Sequence, residues 1–581
     1  MKRILTLICS LMIATMALFG SACKPAGIPS GPTGGGGNNG GGDGNIVVDT
    51  TKTQLYVANL QGGIGYEWFR KAIARFEEKF ADAVYEPGTK GVQIIPEDEY
   101  TVNGRWLLLP TDMYDVYFTE NLTYNEYVRK GELLDLTDVI KAPAKTSPTT
   151  SESVTIESKL NADQKSGLTA QNGNYYAIPH YQAFRGLSYD VDLFNENRLF
   201  LAADKNNGNG GFIIRENDVK SVGPNGVAGD YDDGLPATID EFFALCEKMC
   251  GLGIIPFVWP GQAVSYTEYL CDAIADNLGG VDAVRLNYTY DSGAKKTKII
   301  TGFDSSNNPI VDEVTITTDN GYLLKQQYGK YYGLEVLERV IDKIDSYAHA
   351  LSNNDSNFTQ YNSQEEYIYS NLENKPIGMI IDGTYWWNEA KGAYNRSVAK
   401  YGERAKVRNF AWMPMPTAVS AADQATNAKD PVVRDIMNSY CIVNAKVADN
   451  QYKAQLAKDF VSFCYTDESL QEFTTTTGVA KGLNYSLTEA QYNSLSPFAK
   501  SCWDFRAVAD IVSILPGSVM TIENEQSLLW DLFTTSISGQ AYNTPFYAYL
   551  AKESSEDYFK GQWISDSTWR QNYERYFTVG M

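Results

Sequence analysis

The sequence predicts an α/β protein built as two lobes, and three observations carry that reading. Its 581 residues exceed what one hydrophobic core usually organises. Short apolar strand patterns alternate with amphipathic helix patterns, as in parallel βαβ units. Hydrophobic residues make up 43% of the chain, enough for extensive cores, while one glycine-rich stretch near the start contributes nothing to any core.

The chain opens with Lys2 and Arg3, then an apolar segment from Ile4 to Phe19, then the small residues Gly20, Ser21 and Ala22. That order is a secretory signal, residues 1–22, and its apolar run falls short of the roughly 20 residues of a membrane span. The ending Ser-Ala-Cys at Cys23 resembles the lipobox of bacterial lipoproteins, with Gly20 standing where that motif usually has Leu, Val or Ile. The resemblance implies lipidation of Cys23. Residues 23–51 contain SGPTGGGGNNGGGDGN and read as a flexible tether with a root-mean-square span of about 30 Å. An acyl anchor buries methylenes at about 0.8 kcal/mol each. The expected location is therefore extracytoplasmic, lipid-anchored to a bacterial membrane.

Beyond the tether, TQLYVANL reads as a strand, QGGIG as a tight turn, and Tyr66 to Phe80 as a helix with Phe69, Ala72, Ile73, Phe76 and Phe80 on one face. GVQIIPE and YDVYFT are further buried strands. In parallel sheets ligands gather at the carboxyl ends of strands, which draws attention to the loops after Asn59 and Phe118. Thr238 and Glu241 have capping-box spacing ahead of a helix that runs to about Cys250, with Gly251 ending it and a buried strand after it. Tyr452, Leu456, Phe460 and Phe463 mark another helix, broken near Asp467. Residues 196–234 and 281–320 read as irregular excursions, the second with hairpin-like alternation in TKIITGF and DEVTITT.

A formal charge of −22, or −24 once Lys2 and Arg3 leave with the signal, argues against nucleic acid and anionic lipid as partners. Neutral or cationic ligands suit it better. Six cysteines lie beyond Cys9 and Cys23, with no CxxC pair, and there are two histidines, His180 and His349. Cys246 and Cys250 share a helix face and read as small apolar packing residues. A zinc site or a Ser-His-Asp engine is not expected, and neither is any cofactor.

Several segments together resemble the extracellular solute-binding proteins of bacterial ABC importers, in the carbohydrate-binding branch that includes maltodextrin-binding protein (family 1). They are YVANLQGGIGYEWFRKAIARFEEKF, YDVYFTENLTYNEYVRKGELLDLTDVI, NGNYYAIPHYQAFRGLSYDVDLF, LPATIDEFFALCEKMCGLGIIPF, KPIGMIIDGTYWWNEA, FAWMPMPTA and VADNQYKAQLAKDFVSFCYTDESLQEFTTTTGVAKG. Ala480 stands where relatives commonly have Pro, and residues 196–234 and 281–320 fall outside the resemblance. It implies a type II periplasmic-binding-protein-like fold, each lobe a sheet flanked by helices, joined by a hinge. Lobe 1 is expected to combine 52–180 with 418–475, and lobe 2 to combine 181–417 with 476–581. Crossings are expected near Pro179 to Tyr189, Met413 to Thr417 and Thr477 to Leu483. The implied function is capture of a carbohydrate, an oligosaccharide by preference, and its delivery to the permease subunits of an ABC importer by a monomeric receptor without catalysis.

A sugar receptor needs flat apolar faces for pyranose C–H faces and polar side chains around them for hydroxyls. Such mixtures occur on the loops that the resemblance places at the cleft. Gln61, Gly62 and Tyr66 follow the first strand, and Glu120 and Asn121 follow YDVYFT. His180, Tyr181, Gln182 and Arg185 lie in the first crossing, while Trp259 and Gln262 follow a buried strand. Trp386 and Trp387 are adjacent, and in an extended segment one would face the cleft and the other the core. Each also has an ordinary structural reading as turn, cap, hinge pair or core. The alternative from another class is a surface glycan hydrolase or lyase with an unrecognised carboxylate pair. A non-sugar ligand such as a polyamine also suits the acidic charge. GDYDDG, with Asp230, Asp232 and Asp233, offers calcium-type ligands but lacks the glycine and distal glutamate of an EF-hand, so no metal is assigned.

Overall fold

The computed structural model describes residues 47–577 except 101–108, 121, 123, 288–294, 318, 406–407, 428–429, 436–438, 514–534, 538–539 and 543. The signal, Cys23, most of the tether and Asn121 thus lie outside the described residues. The chain divides into units Met1–Val47 and Val48–Met581, and everything below concerns the second.

Two sheets organise it. The first holds β1 (Thr53–Leu60), β2 (Val92–Tyr100), β3 (Val116–Thr119), β4 (Ala177–Pro179) and, from far along the chain, β10 (Tyr440–Val443), in the order β2-β1-β3-β10-β4. Strands β1, β2 and β3 run parallel; β10 is antiparallel to both β3 and β4, so β4 points the same way as β3. The second sheet has the order β8-β5-β7-β6, with β5 (Arg185–Asp190), β6 (Ile255–Val258), β7 (Ile377–Gly383) and β8 (Phe410–Met413). There β6 and β7 are parallel and β5 is antiparallel to β7. Every residue of β3, β7 and β10 is buried, as strands covered on both faces must be.

Each sheet has its own core. Helix α1 (Glu67–Lys79) buries Trp68, Phe69, Ala72 and Phe76, and Phe76 stacks on Phe80 at 4.2 Å while meeting Phe460 and Phe463 edge-on. The first core draws on residues from Leu55 to Ala183 and from Tyr440 to Leu483, with Tyr385, from the end of the second sheet, packed into it. The second runs mainly from Leu187 to Met415 and is completed by Phe546 to Phe559. Helix α2 (Ile239–Gly251) is capped as its spacing predicts: Thr238 Oγ accepts from the Glu241 amide at 3.1 Å, while the Glu241 carboxylate accepts from the Ala237 amide, one residue earlier than a capping box has it. Residues 296–303 and 309–315 form an antiparallel hairpin, in keeping with their alternation.

The return to the first sheet lies later than the sequence suggests. Residues 418–427 and 430–435, expected in lobe 1, stay with the second body. Ala418 bridges to Thr238, and the Thr417 amide donates to Ala237 O at 3.2 Å. Strand β9 (Val432–Asp435) pairs with β11 (Asp510–Ser513), and Arg434 is held by Asp272 and Asp276 at 2.8 Å each. Both acids belong to helix α3 (Thr267–Gly279) beside the second sheet. The chain rejoins the first sheet at β10. Val479 and Leu483, expected at the last crossing, still pack in the first core, and Tyr485 just beyond packs against it. A short apolar strand pairs with whichever edge is open, and its sequence does not record which.

Candidate ligand-binding cleft

The carboxyl ends of β1, β3 and β4 lie on one edge of the first sheet, and they lead into Gln61, Glu120 and His180-Tyr181. On the second sheet the register pairs Gly383, the end of β7, with Arg185, the start of β5. Arg185 therefore shares an edge with the residues after β7. Two loop-bearing edges are thus supplied, one from each core.

They meet at a glycine. A Cβ on Gly63 would lie 2.7 Å from the Tyr385 side chain, and Asn388 Nδ2 donates to Gly63 O at 2.8 Å. Beside it, a Cβ on Gly62 would sit 2.6 Å from Glu120 Oε1, and the Tyr181 hydroxyl donates to that same oxygen. Only a residue without a side chain lets the turn enter between Glu120 and Tyr385. Opposite, the Arg185 guanidinium lies 4.6 Å over the Tyr269 ring, which packs on Tyr266 at 4.7 Å, and Arg185 Nε is buried without a hydrogen-bond partner. Asp382 and Glu389 share the Gln364 amide, whose Nε2 donates to both at 3.1 and 2.7 Å.

The electrostatics follow from burial. Burial lifts the Glu120 carboxyl above its usual range against the Tyr181 hydrogen bond and the Arg185 charge. Burial, then Glu389, lifts Asp382 well above its own, with the Gln364 hydrogen bond opposing. Glu389 is raised by burial and, further, by Glu120, again against Gln364. The cleft thus joins tyrosine rings, one guanidinium and carboxyls whose proton affinity burial raises. That set can stack on a flat ligand and both donate and accept hydrogen bonds.

No family model matches the sequence, and a search of curated proteins finds no match. Solved structures do match in shape. The solute-binding protein RafE in complex with raffinose shares 12% identity at a TM-score of 0.50, over 90% of this chain and 99% of RafE. The apo form of RafE from Streptococcus pneumoniae gives the same values. A protein of xylan utilization by the thermophilic bacterium Caldanaerobius polysaccharolyticus shares 13% at 0.52, over 88% of this chain and 99% of that one. The chain has the two-lobed solute-binding-protein fold.

Within this solute-binding fold the sequence-nominated residues separate. Gly62, Glu120, Tyr181 and Arg185 come together at the cleft, and Gln61 opens the turn that carries Gly62. Tyr66 is exposed beneath Arg70, whose guanidinium lies 4.2 Å over its ring, and Gln262 is exposed. Gln182 is committed to the hinge: its Nε2 donates to Asp435 Oδ2 at 3.3 Å and its Oε1 accepts from Arg506 Nε at 2.8 Å.

Three nominations are corrected. His180 is 1% exposed, set among Trp68, Phe118 and Phe473, because the residue after β4 turns its ring into the first core. Trp259 is fully buried, edge-on to Phe546. Trp386 is fully buried too, its Nε1 donating to Ser188 Oγ at 3.1 Å. The extended geometry expected for Trp386 and Trp387 is replaced by a helical turn, Trp386–Glu389, so their rings do not alternate. Trp387 is half-buried against Tyr394, Phe410 and Phe498, in the same aromatic cluster as Trp386. Sequence reasoning missed Tyr385, Tyr266 and Tyr269. A signal existed for the first, since Tyr385 adjoins the tryptophan pair on the same turn.

As to metals, Asp230, Asp232 and Asp233 place one carboxylate oxygen each within 4.8 Å of one another.

Proposed function

We propose that the protein is a membrane-tethered receptor that captures a carbohydrate, an oligosaccharide by preference, and passes it to an ABC import permease. The observation that carries this reading is the meeting of Gly63 and Tyr385, which brings the Glu120–Tyr181 pair of one lobe to the Arg185–Tyr269 pair of the other. A ligand seated there touches both lobes and so favours their closed arrangement, which is the state a permease would read. Likeness of fold to a raffinose-bound protein supports a sugar as the ligand. The lipobox-like Cys23 and the tether support a site of action at the outer face of a membrane.

The test is a thermal-shift screen of the purified chain against a sugar library, followed by titration calorimetry and mass analysis of the bound sugar. A ligand at 100 times its dissociation constant adds about 2.7 kcal/mol to folded-state stability. Saturable binding of intact sugar upholds the reading. Release of shortened sugar would replace it with a glycan hydrolase or lyase acting through cleft carboxyls, and a shift with polyamines alone would replace the ligand class.

A further inference from the structure

The excursion 196–234 carries a constellation that the cleft does not use. Asp232 is fully buried, and its Oδ2 accepts from the Asn225 amide at 2.9 Å, but its Oδ1 is buried with no donor. Asp233 repeats the pattern: Oδ2 accepts from the Gly229 amide at 2.8 Å, and Oδ1 is buried and unpartnered. Asp230 completes the group, its Oδ2 accepting from Asn225 Nδ2 at 2.7 Å. One oxygen from each of the three lies within 4.8 Å of the others. Among the described residues, no lysine or arginine comes within 4.0 Å of any of these carboxylates. The nearby Lys220 ammonium sits on the Phe200 ring, 3.4 Å from its centroid, and acts on Asp233 through its charge without an ion-pair contact.

Carboxylates this close repel one another, and burial together with Asp230 raises the Asp232 carboxyl; a buried carboxylate oxygen without a donor costs free energy unless a proton or a metal ion meets it. The local backbone is shaped around the acid all the same. Gly223, at φ +62°, abuts the Asp232 carboxylate so closely that a Cβ there would lie 2.6 Å from Asp232 Cγ. We propose that Asp230, Asp232 and Asp233 form a calcium site that clamps this excursion to the second lobe.

The chemistry favours calcium over other ions. All the side-chain ligands are hard oxygens from one short loop, and water can complete an irregular shell of six to eight. Magnesium demands a tighter octahedron, and zinc prefers nitrogen and sulfur. Irregular extracellular modules bind calcium at about 10⁻⁴–10⁻³ M, a range suited to a protein outside the cytoplasm. The clamp has structural neighbours to secure. Thr417 Oγ donates to Pro224 O at 2.9 Å, just before the segment that leads to β9, and the Tyr231 ring meets Phe505 edge-on at 6.4 Å. The loop also runs through Gly234 into the Thr238 cap of α2.

The experiment uses the mature chain stripped of metal by a chelator, with terbium as the probe. Tyr231, flanked by Asp230 and Asp232, is placed to sensitise a bound terbium ion. The expected result is saturable terbium emission at one ion per chain, displaced by calcium and not by equal magnesium, together with a melting temperature that rises with calcium. The double variant Asp230→Asn/Asp233→Asn should lose the emission and the calcium-dependent shift while keeping the circular dichroism of the parent. Tyr231→Phe should weaken the emission but keep the calcium shift. Emission and shift that survive in the double variant would overturn the proposal, as would a parent whose melting ignores calcium or responds equally to magnesium.

Discussion

Lys481 Nζ lies 2.8 Å from His180 Nδ1, inside a cage formed by the rings of Trp68, Phe118, Tyr465 and Phe473 at 4.7 to 5.1 Å. His180 belongs to the segment that leads from β4 to β5, and its neighbour Tyr181 bridges to Lys481 through the backbone. Among the described residues no carboxylate pairs with this ammonium. Burial pulls Lys481 from 10.5 down to about 8 and, with the lysine charge, holds His180 well below its ordinary value.

A pH signature follows. Below about pH 8 both folded and unfolded states hold the lysine proton, and the cost of burying the charge is fully present. Between there and the unfolded value of 10.5, the unfolded state holds more protons, so this residue's contribution to stability rises with pH. The stability of the parent relative to Lys481→Met should climb by about 1.4 kcal/mol per pH unit across that window. Denaturant unfolding of both proteins at about pH 7.5, 8.5 and 9.5 measures it, and using the difference cancels titrations elsewhere. A pH-independent difference would show that the ammonium is compensated in solution.

At the cleft, Gly63→Ala places a methyl group into the Tyr385 side chain. Overpacking of this kind costs roughly 1–3 kcal/mol. If the contact forms on the closure proposed above, the clash should emerge as weaker ligand binding, about fivefold to a hundredfold, with little change in the melting of the free protein. Calorimetry with the best sugar from the screen reads the first and scanning calorimetry the second. Unaltered affinity would mean that the ligand-bound state does not bring Gly63 to Tyr385.

The tryptophan pair should behave as core. Trp386→Ala removes a fully buried ring and its bond to Ser188, and should cost about 3–5 kcal/mol of stability. Trp387→Ala should cost less, since that ring is half-buried, and should leave ligand affinity within about threefold, below the roughly 1 kcal/mol that marks an important contact. Affinity falling sharply in Trp387→Ala would return this residue to the ligand site.

For the tether, Cys23→Ser should move the protein from the membrane fraction to the soluble extracytoplasmic fraction. Fractionation of cells expressing either form decides it. Equal partitioning would mean that Cys23 carries no anchor.

Much of the architecture was legible because periodicity and punctuation are local. The strand TQLYVANL, the glycine turn, the helix after it and the Thr238 cap are each written within a dozen residues, and each forms where the pattern puts it. The candidate site was legible in part for the same reason: Gly62, Glu120, Tyr181 and Arg185 stand at strand ends, where connectivity alone sends loops to one edge.

What tertiary structure decided is which side of each loop faces the other lobe. His180, Trp259 and Trp386 carry the chemistry of a sugar site, yet neighbouring rings claimed them for the cores, since an aromatic face gains free energy from either environment. Residues 418–427 and 430–435 went to the second lobe because β11, some 75 residues later in sequence, offered β9 a partner there. Tyr385 reached the cleft because a helical turn replaced an extended one and a glycine from the other lobe made room for its ring. Local sequence specifies an element and its end. The direction in which a side chain leaves that end depends on packing partners hundreds of residues away.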